Sequence, residues 1–158
     1  MENMISQKTF NCRWLSDGIG EDFKNWRVQN PTTRLTTPTW AYIESPTGTG
    51  KTTFILNQLF DYAAEHNRNI LYLCNRTALE VQTKLAAQGK IEVESGFMGG
   101  LELKEMKTFR HPRFNAYITI LNYQAFLGAC KKFGLNSDGF YYVVMDEAHF
   151  FLEDALFN

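Results

Sequence analysis

ESPTGTGKTTFIL, residues 44–56, decides how this chain is read. It follows a short strand-like run, TWAYIE (39–44), and opens into a helix-like run, KTTFILNQLFDYAAEH (51–66). Gly50, Lys51 and Thr52 satisfy the second half of the phosphate-loop pattern GxxxxGK[ST]. Ser45 stands where that pattern has its first glycine. Gly48 and Gly50 free the backbone to turn, so that successive N–H groups converge on phosphate oxygens. A helix starting near Gly50 aims the positive end of its dipole at the same point. The ammonium of Lys51 suits the β and γ phosphates, and the Thr52 hydroxyl suits Mg²⁺. Ser45, Pro46, Thr47, Gly48, Thr49, Gly50, Lys51, Thr52 and Thr53 are therefore the candidate nucleotide-binding set. The plainer alternative is a glycine-rich turn that only joins strand to helix. It accounts for the glycines but not for Lys-Thr in this setting.

Outward from the loop, the punctuation is regular. In 51–66, Ile55, Leu59 and Tyr62 are spaced as one helix face requires. NILYLC (69–74) is nearly continuous in apolar residues, as a strand buried on both faces would be. RTALEVQTKLAAQG (76–89) reads as a helix, with Thr77 and Glu80 in capping-box spacing and Gly89 as its stop. IEVES (91–95) and LELKE (101–105) flank GFMGG as a hairpin would. NAYITIL (115–121) is a strand and NYQAFLGACKKFG (122–134) a helix ending at Gly134. GFYYVVMDEAH (139–149) is a strand that runs into polar residues, and FLEDALF (151–157) begins another helix. Such alternation predicts an α/β domain with a mostly parallel central sheet and helices on both faces, a three-layer arrangement.

A phosphate loop needs a partner for its metal, and YYVVMDEAH (141–149) offers one. In open α/β sheets the ligand groups lie beyond the carboxyl ends of strands. Asp146 is suited to hold Mg²⁺ through its water shell. Glu147 is suited to orient or deprotonate an attacking water. The alternative is that both acids merely open a helix, where negative charge is favoured.

Two stretches carry a family resemblance. The loop SPTGTGKT (45–52) resembles motif I of superfamily-two helicases and translocases, in the form [A/G/S]-P-T-G-[S/T]-G-K-[T/S]. The tetrad Asp146-Glu147-Ala148-His149 is similar to the DEAH form of motif II. The resemblance spans roughly residues 40–151. It implies a RecA-like P-loop NTPase domain over 39–158, with residues 1–38 an N-terminal extension or linker. It implies ATP and Mg²⁺ as cofactors, nucleic acid as partner, and Lys51, Asp146, Glu147 and His149 as the catalytic set, with Thr52 and Asp146 on the metal. It gives His149 the task of linking the γ-phosphate to nucleic-acid contacts; a capping or packed histidine is the alternative. It also implies a second RecA-like domain in the same longer chain, since 158 residues end just after motif II. A restriction-system translocase, a packaging ATPase and a non-catalytic ATP-gated module share this core and stay open.

The nucleic-acid contacts are read more loosely. LCNRTALEVQ (73–82) looks like motif Ia, and places Arg76 and Thr77 where a strand gives way to a helix N-terminus. A capping box with a solvated arginine explains the same residues. ITILNYQAF (118–126) is similar to the T-x-x-x-x-Q stretch of these enzymes, which brings in Thr119, Asn122 and Gln124. KEMKTFRHPRF (104–114) interleaves basic and aromatic residues, as a single-strand grip does and as an ordinary solvated surface also does. DEAD-box enzymes read adenine with an upstream glutamine motif, and QNPTT (29–33) does not fit it. Phe23 and Trp26 are the candidates to stack on a base, with core packing as the alternative.

Composition bounds the rest. Net charge is −1, so there is no global basic field and any nucleic-acid surface is local. Cys12, Cys74 and Cys130 lie far apart with no CxxC pair, which argues against a disulfide framework or a zinc site and for a cytoplasmic or other reducing compartment. No apolar h-region opens the chain and no window approaches a membrane span, so neither a leader nor a membrane partner is expected.

Overall fold

The computed structural model describes residues 9, 11–25, 43–46, 48–74, 78–93, 106–133 and 140–146. The chain divides into two compact units, Met1–Leu59 and Phe60–Asn158, and each is described by itself.

In the first unit, helix α1 (Leu15–Ile19) ends at Gly20, whose φ of 53° is open to glycine, and a 3₁₀ turn follows at Asp22–Asn25. One short helical turn thus lies on each side of that glycine. Ile19, Phe23 and Phe54 are buried. Phe23 meets Phe54 edge-on, with ring centroids 5.4 Å apart. Phe23 is therefore a core residue, not a stacking platform; Trp26 lies outside the described residues. Ile43 and Glu44 take no part in a strand, and residues 39–42 of the expected strand are outside the description.

The phosphate loop passes into α2 (Lys51–Thr53), which continues as a π-helical segment, Phe54–Leu59. Bonding from i to i+5 widens the turn there. Phe54, Leu56 and Leu59 are the buried residues of that segment, whereas Ile55 is half-buried. The expected face over Ile55, Leu59 and Tyr62 is thus displaced.

The second unit opens with α3 (Phe60–Glu65) and holds a five-stranded sheet. Its strands are β1 (Ile70–Cys74), β2 (Ile91–Val93), β3 (Lys107–Arg110), β4 (Tyr117–Asn122) and β5 (Tyr142–Met145), in the order β2-β3-β4-β1-β5. Helix α4 (Ala78–Ala87) packs on β4, and α5 (Tyr123–Phe133) packs on β4 and β1. β1 runs parallel to both β4 and β5, but β3 is antiparallel to β4 and to β2. The described sheet is therefore mixed, with two of its four pairings parallel, and a mostly parallel sheet is not confirmed. The link between β3 and β4 is only residues 111–116, too short for a crossover, so it forces an antiparallel neighbour. β2 pairs with β3, and residues 94–105, on which the expected hairpin falls, lie outside the described residues.

β1 is buried at every position, as its apolar run requires. Leu71 and Leu73 join Met106, Leu121, Tyr123 and Phe140 in one core cluster. By strand alternation Ile70, Tyr72 and Cys74 point to the other face. α4 ends as expected: Gly89 is left-handed at φ 76°, and Lys90 N–H donates to Leu85 O at 3.1 Å.

His111, read as part of a basic stretch, is 1% exposed. Its Nδ1 accepts the Arg113 backbone N–H at 3.2 Å, so the ring proton sits on Nε2 and donates to Asp61 Oδ1 at 2.7 Å. Met106, Thr108 and Phe109 are buried as well. The described part of 104–114 holds strand β3, flanked by β2 and β4, with Thr108, Phe109 and His111 turned into the core, not a continuous surface run. Cys12, Cys74 and Cys130 are all free thiols. Among the described residues no helix is long and apolar enough to cross a membrane.

Candidate nucleotide site

Two glycines set the loop. Gly48 and Gly50 are left-handed, at φ 81° and 82°, and Gly50 caps the helix that Lys51 begins. A side chain at either would be strained in that conformation. Between them, the Thr49 hydroxyl donates to Pro46 O at 2.8 Å and lies 3.1 Å from Ser45 Oγ. Lys51 Nζ donates to Ser45 O at 2.9 Å, which lays the side chain back across the loop. An ammonium has three donors, so this bond leaves capacity for an anion. Ser45 thus does more than fit a small-residue position, because its hydroxyl and its carbonyl both tie the loop. Thr52 is half-buried and Thr53 exposed, and Thr47 lies outside the described residues.

Sequence reasoning missed Trp14. Leu15 N–H donates to Thr49 O at 2.8 Å, which fastens the segment before α1 to the phosphate loop. The Trp14 ring is 44% exposed and carries the Arg13 guanidinium 4.9 Å from its centroid. A cavity of about 360 Å³ is bounded by Trp14, Thr49, Gly50, Thr53, Asn57 and Gln58, among others. That volume falls in the range of small-molecule sites. The only sequence signal was an aromatic residue upstream of the loop, and Phe23 and Trp26 offered the same signal.

In the second unit, Asp146 follows β5 at the carboxyl end of the parallel strands, where β1 and β4 end in register at Cys74 and Asn122. Its backbone is held on both sides. Asp146 N–H donates to Leu73 O at 2.9 Å, and the Tyr123 hydroxyl donates to Asp146 O at 2.5 Å. One carboxylate oxygen, Oδ2, accepts the Tyr72 hydroxyl at 2.6 Å. Among the described residues Oδ1 has no donor. The carboxylate is half-exposed, as a group that meets a hydrated cation must be. No cluster of three or more His, Cys, Asp or Glu residues lies among the described residues. One carboxylate with phosphate and water ligands is the usual protein share of a Mg²⁺ site, so the donor set fits that ion. Glu147 and His149 lie outside the described residues. At the other end of β5, burial raises the Tyr142 phenol above its ordinary value, and a hydrogen bond with Arg68 opposes the shift.

The expected nucleic-acid residues divide. Thr119 is fully buried, with its hydroxyl 3.0 Å from that of Thr108 across the β3–β4 pair. It is a mid-strand sheet residue, and in this structure its side chain lies in the core and not on a surface. Asn122 Oδ1 accepts the Ala125 N–H at 2.7 Å, an N-cap bond that starts α5. Gln124 is exposed beside it. Arg76 and Thr77 lie outside the described residues.

Residues 15–156 match the family model described as the type III restriction enzyme, res subunit. No curated protein and no solved structure matches the chain. The match begins at residue 15, inside the stretch read from sequence as an extension, and takes in the Leu15 bond to the phosphate loop. A match of this breadth, over a glycine-shaped phosphate loop and a mixed α/β sheet, identifies the chain as a member of the type III restriction enzyme res-subunit family, a superfamily-two helicase-like ATPase domain of RecA-like P-loop type.

Proposed function

We propose that this domain binds Mg-ATP and couples its hydrolysis to movement along nucleic acid, as part of a helicase or translocase. The observation that carries the reading is the loop of residues 45–52. Two left-handed glycines, a helix cap at Gly50 and a lysine with spare donors suit the phosphates of a nucleotide. Residues Ser45 to Thr53 hold the phosphates, with the lysine at position 51 neutralising the β and γ groups. Thr52 and Asp146 are the residues that would hold Mg²⁺, partly through water. When bound, that ion neutralises charge on the phosphates. Glu147 orients the attacking water for in-line displacement, and His149 relays the state of the γ-phosphate. The base occupies the cavity beside Trp14, supported by the ring's exposure and by the loop residues Thr49 and Gly50 in the cavity wall. Gln124, Arg76 and Thr77 remain the nucleic-acid candidates.

Between unwinding and translocation, the family match favours a restriction-type translocase. Phosphate release tests the reading. The full-length protein should hydrolyse ATP faster with DNA or RNA present than without, and Glu147→Gln should keep ATP binding while turnover stops. Strand displacement on a partial duplex then separates a helicase from a translocase. Hydrolysis indifferent to every nucleic acid, with Glu147→Gln as active as wild type, would overturn the proposal.

A further inference from the structure

We propose that Tyr72 is a positioning residue for the metal-holding carboxylate: its buried hydroxyl fixes the rotamer of Asp146 and leaves Oδ1 as the oxygen that faces Mg²⁺. The inference rests on the nucleotide reading above and goes beyond it by assigning a residue from a different strand to the metal site.

The argument starts with the strand. β1 is the central strand of the parallel part of the sheet, with β4 on one side and β5 on the other. Tyr72 is its middle residue and is 0% exposed, in register with Ile120 and Val144. A strand buried on both faces calls for aliphatic side chains, and a phenol there must find an acceptor or lose its hydration uncompensated. Alternation puts Tyr72, Val144 and Asp146 on one side of the sheet. From position 72 the ring reaches past Val144 to the end of β5. Its hydroxyl meets Asp146 Oδ2 at 2.6 Å, the length of a charge-assisted O–H···O⁻ bond.

Three bonds then act on one residue. Leu73 O and the Tyr123 hydroxyl fix the Asp146 backbone, and Tyr72 fixes its side chain. The chemistry of the donor matters. A lysine or arginine in this place would cancel the charge that attracts a divalent cation. A neutral phenol orients one carboxylate oxygen and leaves the negative charge on the group. Because the ring is packed on all sides, the hydroxyl does not move when ligand arrives, so the carboxylate is set before the metal is bound.

Calorimetric titration of the full chain with ATP, once in EDTA and once in excess Mg²⁺, tests this. In wild type Mg²⁺ should raise ATP affinity. Tyr72→Phe keeps the ring in the core and should bind ATP in EDTA as wild type does, but lose roughly tenfold of the Mg²⁺-dependent gain. Asp146→Asn should lose the gain as well, and Tyr72→Phe/Asp146→Asn should lose no more than Asp146→Asn alone. A Tyr72→Phe variant with the full wild-type gain overturns the proposal, and so does one that weakens ATP equally with and without metal, since that marks a general structural role. A wild type without any Mg²⁺-dependent gain overturns this proposal together with the nucleotide reading beneath it.

Discussion

The phosphate loop and the Asp146 corner are both held by hydrogen bonds, but the bonds are of different range. Around the loop, Thr49 reaches Pro46 and Ser45, and Lys51 reaches Ser45, spans of three, four and six residues. At the corner, Tyr72 and Tyr123 reach Asp146 across 74 and 23 residues. The loop is thus encoded where it stands: glycines at 48 and 50 allow the turn and the local side chains close it. The corner exists only once β1 and β5 are neighbours. A local device is expected to tolerate change elsewhere in the sheet, whereas the corner is expected to fail with it.

The largest effect that would break this contrast is in the sheet. Leu121→Ala removes a fully buried side chain from β4 and is expected to cost about 2–5 kcal/mol in chemical denaturation. A variant that loses almost nothing would show that β4 is not the core strand described. Thr119→Val comes next. It strands the buried Thr108 hydroxyl and should cost about 1–3 kcal/mol, with most of that recovered in Thr108→Val/Thr119→Val. Nucleic-acid affinity measured on the folded double variant should not change. If it falls, Thr119 reaches the ligand after all. The smallest effect is in the loop. Ser45→Gly restores the usual phosphate-loop residue and removes one hydroxyl from a set of local bonds. Stability should stay within about 0.5 kcal/mol and ATP affinity within about threefold. A large loss would make Ser45 a specific contact and not one of several ties.

The same contrast in range explains what could be read beforehand. The loop, the β1, β4 and β5 strands, the helices over 78–87 and 123–133 and the stop at Gly89 follow from local pattern, and each is present. Antiparallel β3 was hidden because KEMKTFRHPRF looks like a charged surface until register shows Thr108, Phe109 and His111 turned inward. The helix face was misjudged by a residue because the π-helical turn at Phe54–Leu59 breaks the regular period. Thr119 and Asn122 matched a linear motif, yet one is taken up by a cross-strand hydroxyl and the other by a helix cap. Trp14 was passed over because its link to the loop is a backbone bond, Leu15 to Thr49, which no side-chain pattern announces. Tyr72 left a faint signal, a lone phenol in an otherwise aliphatic strand.

The central claim is that residues 45–53 hold a nucleoside triphosphate through the lysine at 51. Calorimetric titration of wild type and Lys51→Ala with Mg-ATP tests it most directly. Wild type should give a one-site isotherm, and Lys51→Ala should weaken it by roughly a hundredfold or beyond detection, consistent with loss of a charge-assisted contact to phosphate of about 1.5–3 kcal/mol or more. Equal binding by the two proteins would contradict the account.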